Sequence, residues 1–444
     1  MSELLIKNAQ IVNEGTIQTG DLRVRDGRID AIASELDAGS RTEVLDAGGN
    51  YLMPGMIDDQ VHFRTPGLSH KGDLTTESRA AVAGGVTSFM DMPNVQPPTI
   101  DNQALHTKIA SAEGKCAANF GFHLGATNDN IDSIKAADQS AAAGIKIFMG
   151  ASTGRMLVDD DDALEAIFEH APLTVLTHCE ETPMIEAALA RARAEYGDDI
   201  PMAMHPTIRS REACLASSRK AVDLAQRHGT QLHILHLTTA DELALFTASP
   251  MAGKSITAEA CVHHLWFCDA DYDRLGTRIK CNPAIKTDAD RQAIRRAVAE
   301  DRIDILATDH APHLIEEKDG PYTQAAAGMP LAQYVLVALV DMAESGWMSL
   351  PQLVQKTAHN VAERFQVAER GYLREGYWAD LVVVDPSAPT VVDAEPVHAH
   401  CGWTPFTGQR FNARVQATVV SGQIAYCNDT IQPVAAGQAL CYAR

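Results

Sequence analysis

Residues 145–178 read IKIFMGASTGRMLVDDDDALEAIFEHAPLTVLTH. An apolar run rich in isoleucine (145–150) gives way to a helical segment (160–170) and then to a second run (173–178). Strands that alternate with helices build a parallel sheet. The alternation continues in both directions from this unit. The further runs are MIDDQVHF (56–63), VTSFMDM (86–92), ANFGFHLG (118–125), QLHILHL (231–237), SITAEA (255–260) and IDILATD (303–309), which makes eight. Helical candidates also lie at 102–113, 213–228 and 287–300. Eight such units over about 250–300 residues are the arithmetic of a (β/α)8 barrel. An open doubly wound sheet is the other solution, but no GxGxxG follows any run.

Outside the barrel the pattern is different. Short strands with tight turns fill the first fifty residues (LLIKNAQIV, GTIQTGDLRVRDGRIDAIA, TEVLDAGGNYLMPG). The same character returns in ADLVVVDPSAPTVVD and RVQATVVSGQIAYCN near the end. Strands from one end alone bury too little, so both ends are expected in one small β-sandwich-like domain. The expected division is 1–53 and 366–444 for that domain and 54–365 for the barrel.

Composition narrows the class. The 444 residues carry 37 Lys and Arg against 58 Asp and Glu, a formal charge of −21. A nucleic-acid reader needs basic surface, so that class is excluded. A small anionic substrate is not, because one local arginine suffices to hold it. No apolar stretch reaches 18 residues, so no membrane span is expected. The start has no secretory pattern, and the nine cysteines form no CxxC pair. A cytoplasmic enzyme without disulfides is the expectation.

The 17 histidines are the telling surplus. A barrel carries its chemistry at the carboxyl ends of its strands. There the runs place His62 with Arg64 beyond it, Asn94, His178, His233 with His236, and Asp309 with His310 and His313. Imidazoles and carboxylates arriving from separate strands suit a hydrolytic metal site with a position open to water. Lys146 lies near the start of its run, among apolar neighbours. An unpaired buried ammonium is costly, so this lysine is either paired with a carboxylate or chemically altered. Core or surface roles are expected for His106, His123, His170, His228, His359 and His398. His263 and His264 are candidates to face the pocket.

PGMIDDQVHFRTPG, GGVTSFMDMPN, GIKIFMGAS, LTHCEE, HPTIRSREA, LHILHLTT, TAEACVHHLWF, ATDHAPH and CGWTPF together resemble dihydroorotase, in the amidohydrolase superfamily. The resemblance spans essentially the whole chain. It implies a barrel with a small β-domain made from both termini. It also implies a centre of one or two metal ions, usually zinc. His62 and Asp309, with Gln60, would hold the more buried ion, and His178 and His236 the more exposed one. Lys146 matches the lysine that becomes a carbamate bridging both. Arg64 and Asn94 match a clamp for the substrate carboxylate, His313 a third contact, and Asn282 a contact to the pyrimidine ring. Asp309 is implied as the general acid and base in the reversible cyclisation of N-carbamoyl-L-aspartate to L-dihydroorotate.

Two positions depart from the pattern. Gln60 stands where relatives have the first histidine of Asp-x-His-x-His, and Thr65 where they often have glutamate. The rival readings are a dihydropyrimidinase, hydantoinase or allantoinase, which share the metal set, and a catalytically silent dihydroorotase-like subunit. The resemblance further implies a homodimer, with association with aspartate transcarbamoylase as a further candidate. The polar, glycine-bounded stretch 314–328 is a candidate for a mobile loop over the site.

Overall fold

The computed structural model describes residues 3–150, 156–394 and 396–444. The last two residues of the GIKIFMGAS stretch lie outside the described residues. Eight strands form the barrel: β1 (Met56–Val61), β2 (Val86–Asp91), β3 (Asn119–Gly125), β4 (Ala142–Phe148), β5 (Val175–His178), β6 (Leu232–Ile234), β7 (Ile256–Cys261) and β8 (Ile305–Ala307). Each pairs in parallel with the next. The ring closes where Val61 bridges His310 and the His62 amide donates to the His310 carbonyl at 2.8 Å. All eight runs become strands. One boundary moves: β4 begins at Ala142, so Lys146 lies near its end rather than its start. Ala-Ala-Gly carries no β-branched signal, which is why the extension was not legible.

The helices begin where the sequence supplies a cap. Asp101, Asp160, Ser210 and Thr287 each accept a backbone N–H three residues on, in front of Asn102–Ala112, Asp161–His170, Arg211–His228 and Asp288–Ala299. Such a cap is worth about 1 kcal/mol.

The two ends of the chain share one nine-stranded sheet. Tyr51–Pro54 runs antiparallel to Leu381–Asp385, joining the N-terminal strands to the C-terminal ones. Leu4, Ile6, Leu22, Leu52, Leu381 and Val419 fill its separate core. Asp380 fastens this sheet to the barrel: its carboxylate accepts from the Asn119 side chain (3.0 Å) and the Ser421 amide (2.7 Å) and pairs with buried Arg370. No helix among the described residues is long and apolar enough to cross a membrane.

His310 is the keystone at the barrel's closure. Its Nδ1 accepts the Leu331 and Ala332 amides, both at 3.0 Å, so its Nε2 donates to Glu77 at 2.7 Å. Glu77 also accepts the His400 amide at 2.9 Å, which ties the C-terminal segment to the barrel rim. Both side chains are buried. Glu77→Ala removes one partner of a buried pair and should cost about 3–5 kcal/mol. A drop in the denaturant midpoint of that size is expected, whereas an unchanged midpoint would remove Glu77 from this role.

Candidate metal centre and substrate cleft

A cleft of about 100 Å³ opens at the carboxyl ends of the strands. Gln60, His62, Arg64, Asn94, Lys146, His178, His236, Asn282 and Asp309 all line it. The structure therefore brings together nine of the ten expected residues, which are scattered over 250 positions of the chain. His313 stands just behind, against Arg64. A larger hollow of about 550 Å³ lies at the opposite end of the barrel, beside Thr174, Gln231 and Ser255 at the strand starts. None of the expected residues faces that hollow.

The hydrogen bonds fix which nitrogens are bare. An amide oxygen only accepts, so the 2.8 Å contact to Asn94 Oδ1 places a proton on His62 Nδ1. His62 Nε2 then presents its lone pair to Asp309 Oδ1, 3.2 Å away. On the other side, His178 Nε2 donates to Glu180 Oε2 at 2.8 Å. That leaves His178 Nδ1 as an acceptor, 2.9 Å from His236 Nε2. Either His236 Nε2 donates to that nitrogen or a cation lies between the two rings, and at His62 and Asp309 a lone pair meets a carboxylate. A histidine oriented by a carboxylate on its far nitrogen is the usual support of a metal ligand. The residues present fit the ion that the resemblance implies.

Electrostatics agree. Burial drives the His178 pKa down despite Glu180, and burial with the neighbouring His178 and Lys146 drives His236 well down. Both rings stay neutral, the form that binds metal. Burial alone would raise Glu180, but Arg209 and His178 outweigh it and hold the carboxyl at about 2. Lys146 is 1 % exposed, with its Nζ 4.5 Å from the Phe148 ring centre. Among the described residues it makes no hydrogen bond and no ion pair within 4 Å. Burial lowers its pKa to about 8, against the pull of Asp309 and Glu259.

The backbone is strained at this rim. Arg64, His236 and Asp309 have φ of 67°, 38° and 50°. Left-handed backbone costs a non-glycine residue about 1–3 kcal/mol and clusters at functional sites. Arg64 is buried, and its Nε donates to the Pro312 carbonyl at 3.1 Å. No carboxylate lies within ion-pair distance of it among the described residues. His313 Nδ1 lies 3.2 Å from Lys71 Nζ, and its Nε2 lies 3.0 Å from the Arg64 guanidinium and 3.1 Å from the Ala327 carbonyl. Both His313 nitrogens are thus engaged, and the ring acts as a wall for Arg64. Asn282 Oδ1 is buried at the cleft with no hydrogen-bond partner among the described residues.

The stretch 314–328 is fastened down. Lys318 donates to the carbonyls of Lys280, Ala326 and Gly328 at 2.7–3.0 Å, and Lys280 donates to those of Tyr322 and Ala325. Gly328 forms the cleft floor at φ 136°, where a Cβ would sit 2.7 Å from the Ala311 carbonyl oxygen. Trp403, from CGWTPF, donates to the His313 carbonyl at 2.8 Å and braces the same loop. His263 and His264 are buried but do not line the cleft. Glu180 and Arg209 were not singled out in the sequence, although LTHCEE and HPTIRSREA contain them.

Comparison with known proteins places the chain among relatives. The model of the amidohydrolase family matches residues 51–425. A dihydroorotase of Halobacterium salinarum is 33 % identical over 430 residues, covering 95 % of this chain and 97 % of the relative. An allantoinase of Rubrobacter xylanophilus is 31 % identical over 434 residues, covering 96 % and 94 %. The solved L-hydantoinase of Arthrobacter aurescens superposes with a TM-score of 0.94 at 25 % identity, covering 99 % of this chain and all of that one.

Glu180→Gln should weaken metal binding roughly 10–100-fold, because the amide no longer fixes the His178 tautomer. Competition against a chelator measures this. Equal affinity in the variant and the parent would contradict the orientation role.

Proposed function

The chain belongs to the amidohydrolase family, and from that premise we propose that it is a metal-dependent dihydroorotase. It would interconvert N-carbamoyl-L-aspartate and L-dihydroorotate, a step of pyrimidine biosynthesis. One observation carries the choice among cyclic amides: the buried Arg64 guanidinium at the cleft has no carboxylate within ion-pair distance among the described residues. Dihydroorotate brings a ring carboxylate to meet it, by two parallel hydrogen bonds. Allantoin, hydantoin and dihydrouracil bring none.

His62, Asp309 and Gln60 would hold one ion, and His178 and His236 a second. Lys146 would lie between them as its carbamate. The lowered pKa of Lys146 supports this, since the neutral amine is the form that takes up carbon dioxide. A bound divalent ion such as zinc supplies Lewis acidity toward the ring amide and makes water reactive near neutral pH. Arg64 fixes the carboxylate and so orients the ring in the cleft. Asn94 holds His62 in place, and Asn282 Oδ1 offers an acceptor to a ring N–H. In ring opening Asp309 takes a proton from water and returns it to the departing ring nitrogen. In ring closure it takes the proton from the carbamoyl nitrogen.

Gln60 favours one other reading, a silent subunit, because an amide oxygen is a weak ligand. A substrate panel separates the readings. Turnover of L-dihydroorotate should exceed that of allantoin and dihydrouracil. The opposite ranking would move the chain to a neighbouring activity, and no turnover on any ring would favour the silent subunit. Asp309→Ala should abolish turnover. Arg64→Ala should remove about 2 kcal/mol of binding, roughly 30-fold in KM, with a smaller change in kcat. Near-normal turnover in Asp309→Ala would contradict its role as acid and base.

A further inference from the structure

A second group of acceptors lies deeper along the strands. Asp59 on β1, His233 on β6 and Glu259 on β7 meet inside the barrel, and each is 0 % exposed. They sit between the cleft and Phe365, whose ring centre is 5.9 Å from that of His233. His233 Nε2 is 3.3 Å from Asp59 Oδ2 and 3.7 Å from Glu259 Oε2. One ligand atom from each of the three falls within 4.8 Å of the others.

The protons of this group are committed elsewhere. His233 Nδ1 lies 2.8 Å from Thr257 Oγ1, and that hydroxyl donates to the Leu232 carbonyl at 3.2 Å. Thr257 therefore accepts, and His233 Nδ1 carries the proton. Nε2 then faces two carboxylates, and against the cost of burial they favour a second proton on the ring. Glu259 Oε1 is engaged by the His236 amide at 3.0 Å and the Cys261 thiol at 3.1 Å. Among the described residues, both oxygens of Asp59, Oε2 of Glu259 and Nε2 of His233 are buried without a hydrogen-bond partner. No Lys or Arg nitrogen lies within ion-pair distance of either carboxylate among the described residues. Two buried carboxylates with no Lys or Arg partner call for positive charge, and a proton on His233 balances only one of them.

The spacing suits a metal. Ligand atoms about 2.1 Å from one tetrahedral ion stand about 3.4 Å apart, close to the two separations measured from His233. Thr257 supplies the outer hydrogen bond that orients such a histidine. We propose that Asp59, His233 and Glu259 form an interior site for a divalent transition-metal ion, separate from the centre at the strand ends. The ion balances the two carboxylates and pins β1, β6 and β7 to one another. It also steadies two residues of the cleft, because Asp59 precedes Gln60 and Glu259 holds the His236 amide. The site does not depend on which cyclic amide the cleft opens.

Anomalous diffraction at the zinc edge tests this on crystals of the parent protein grown with Zn2+. The expected map has a peak bounded by Asp59, His233 and Glu259, distinct from any at the strand ends. Peaks confined to the strand ends or to the Cys261, His263 and His264 group, or no peak, would overturn the site. In solution, the variant carrying His62→Ala, His178→Ala and His236→Ala should keep about one Zn2+ per chain after equilibrium dialysis. Adding Asp59→Asn should release it. A folded triple variant without zinc would show that a shared proton holds the three groups together instead, and zinc retained after Asp59→Asn would place the ion elsewhere and overturn the site.

Discussion

Ring nitrogens that meet a carboxylate or a second imidazole at hydrogen-bond distance set the terms for this molecule. His62 Nε2 looks at Asp309, and His178 Nδ1 looks at His236, with the far nitrogen of His62 and of His178 already committed to a partner. In a buried site a lone pair that meets neither a proton nor a cation is costly. A cation converts the same geometry into a ligand set. The neighbouring features follow from that requirement. Asn94 and Glu180 choose the tautomers, Arg209 keeps Glu180 ionised, and burial keeps His178 and His236 neutral.

Holding like groups together demands a rigid frame, and the barrel supplies it. Parallel pairing fixes the strand ends to one another, and the His310–Glu77 pair locks the closing seam beside Asp309. The frame is stiff enough to keep Arg64, His236 and Asp309 in left-handed backbone. The strong negative charge of the chain is a property of its surface. At the cleft the charge that faces an anion is the buried Arg64, which is how an acidic protein can receive one.

Much of this was legible in the sequence because the signals are local. Each barrel strand is a short apolar run, and each ligand sits near or just beyond the end of one. Lys146 stood out as a charge in an apolar run. What was not legible depends on contacts between distant segments. The Asp59, His233 and Glu259 group is assembled from three strands over 200 positions of the chain, and no spacing rule links them. His233 was noted only beside His236, while Asp59 and Glu259 each read as one acid within a strand. The role of His313 as a wall depends on Lys71 and Ala327. The stretch 314–328 has a loop's composition, yet Lys280 and Lys318 bind its carbonyls, and a lysine's partners cannot be read from its neighbours in sequence.

The central claim is that a cation held by converging acceptors opens an anionic cyclic amide. The most direct measurement follows L-dihydroorotate ring opening before and after exhaustive chelation, and again after adding back Zn2+. Turnover that disappears with the metal and returns with it is the predicted result. Turnover that is indifferent to chelation, or its absence in protein shown to carry the metal, would contradict the claim.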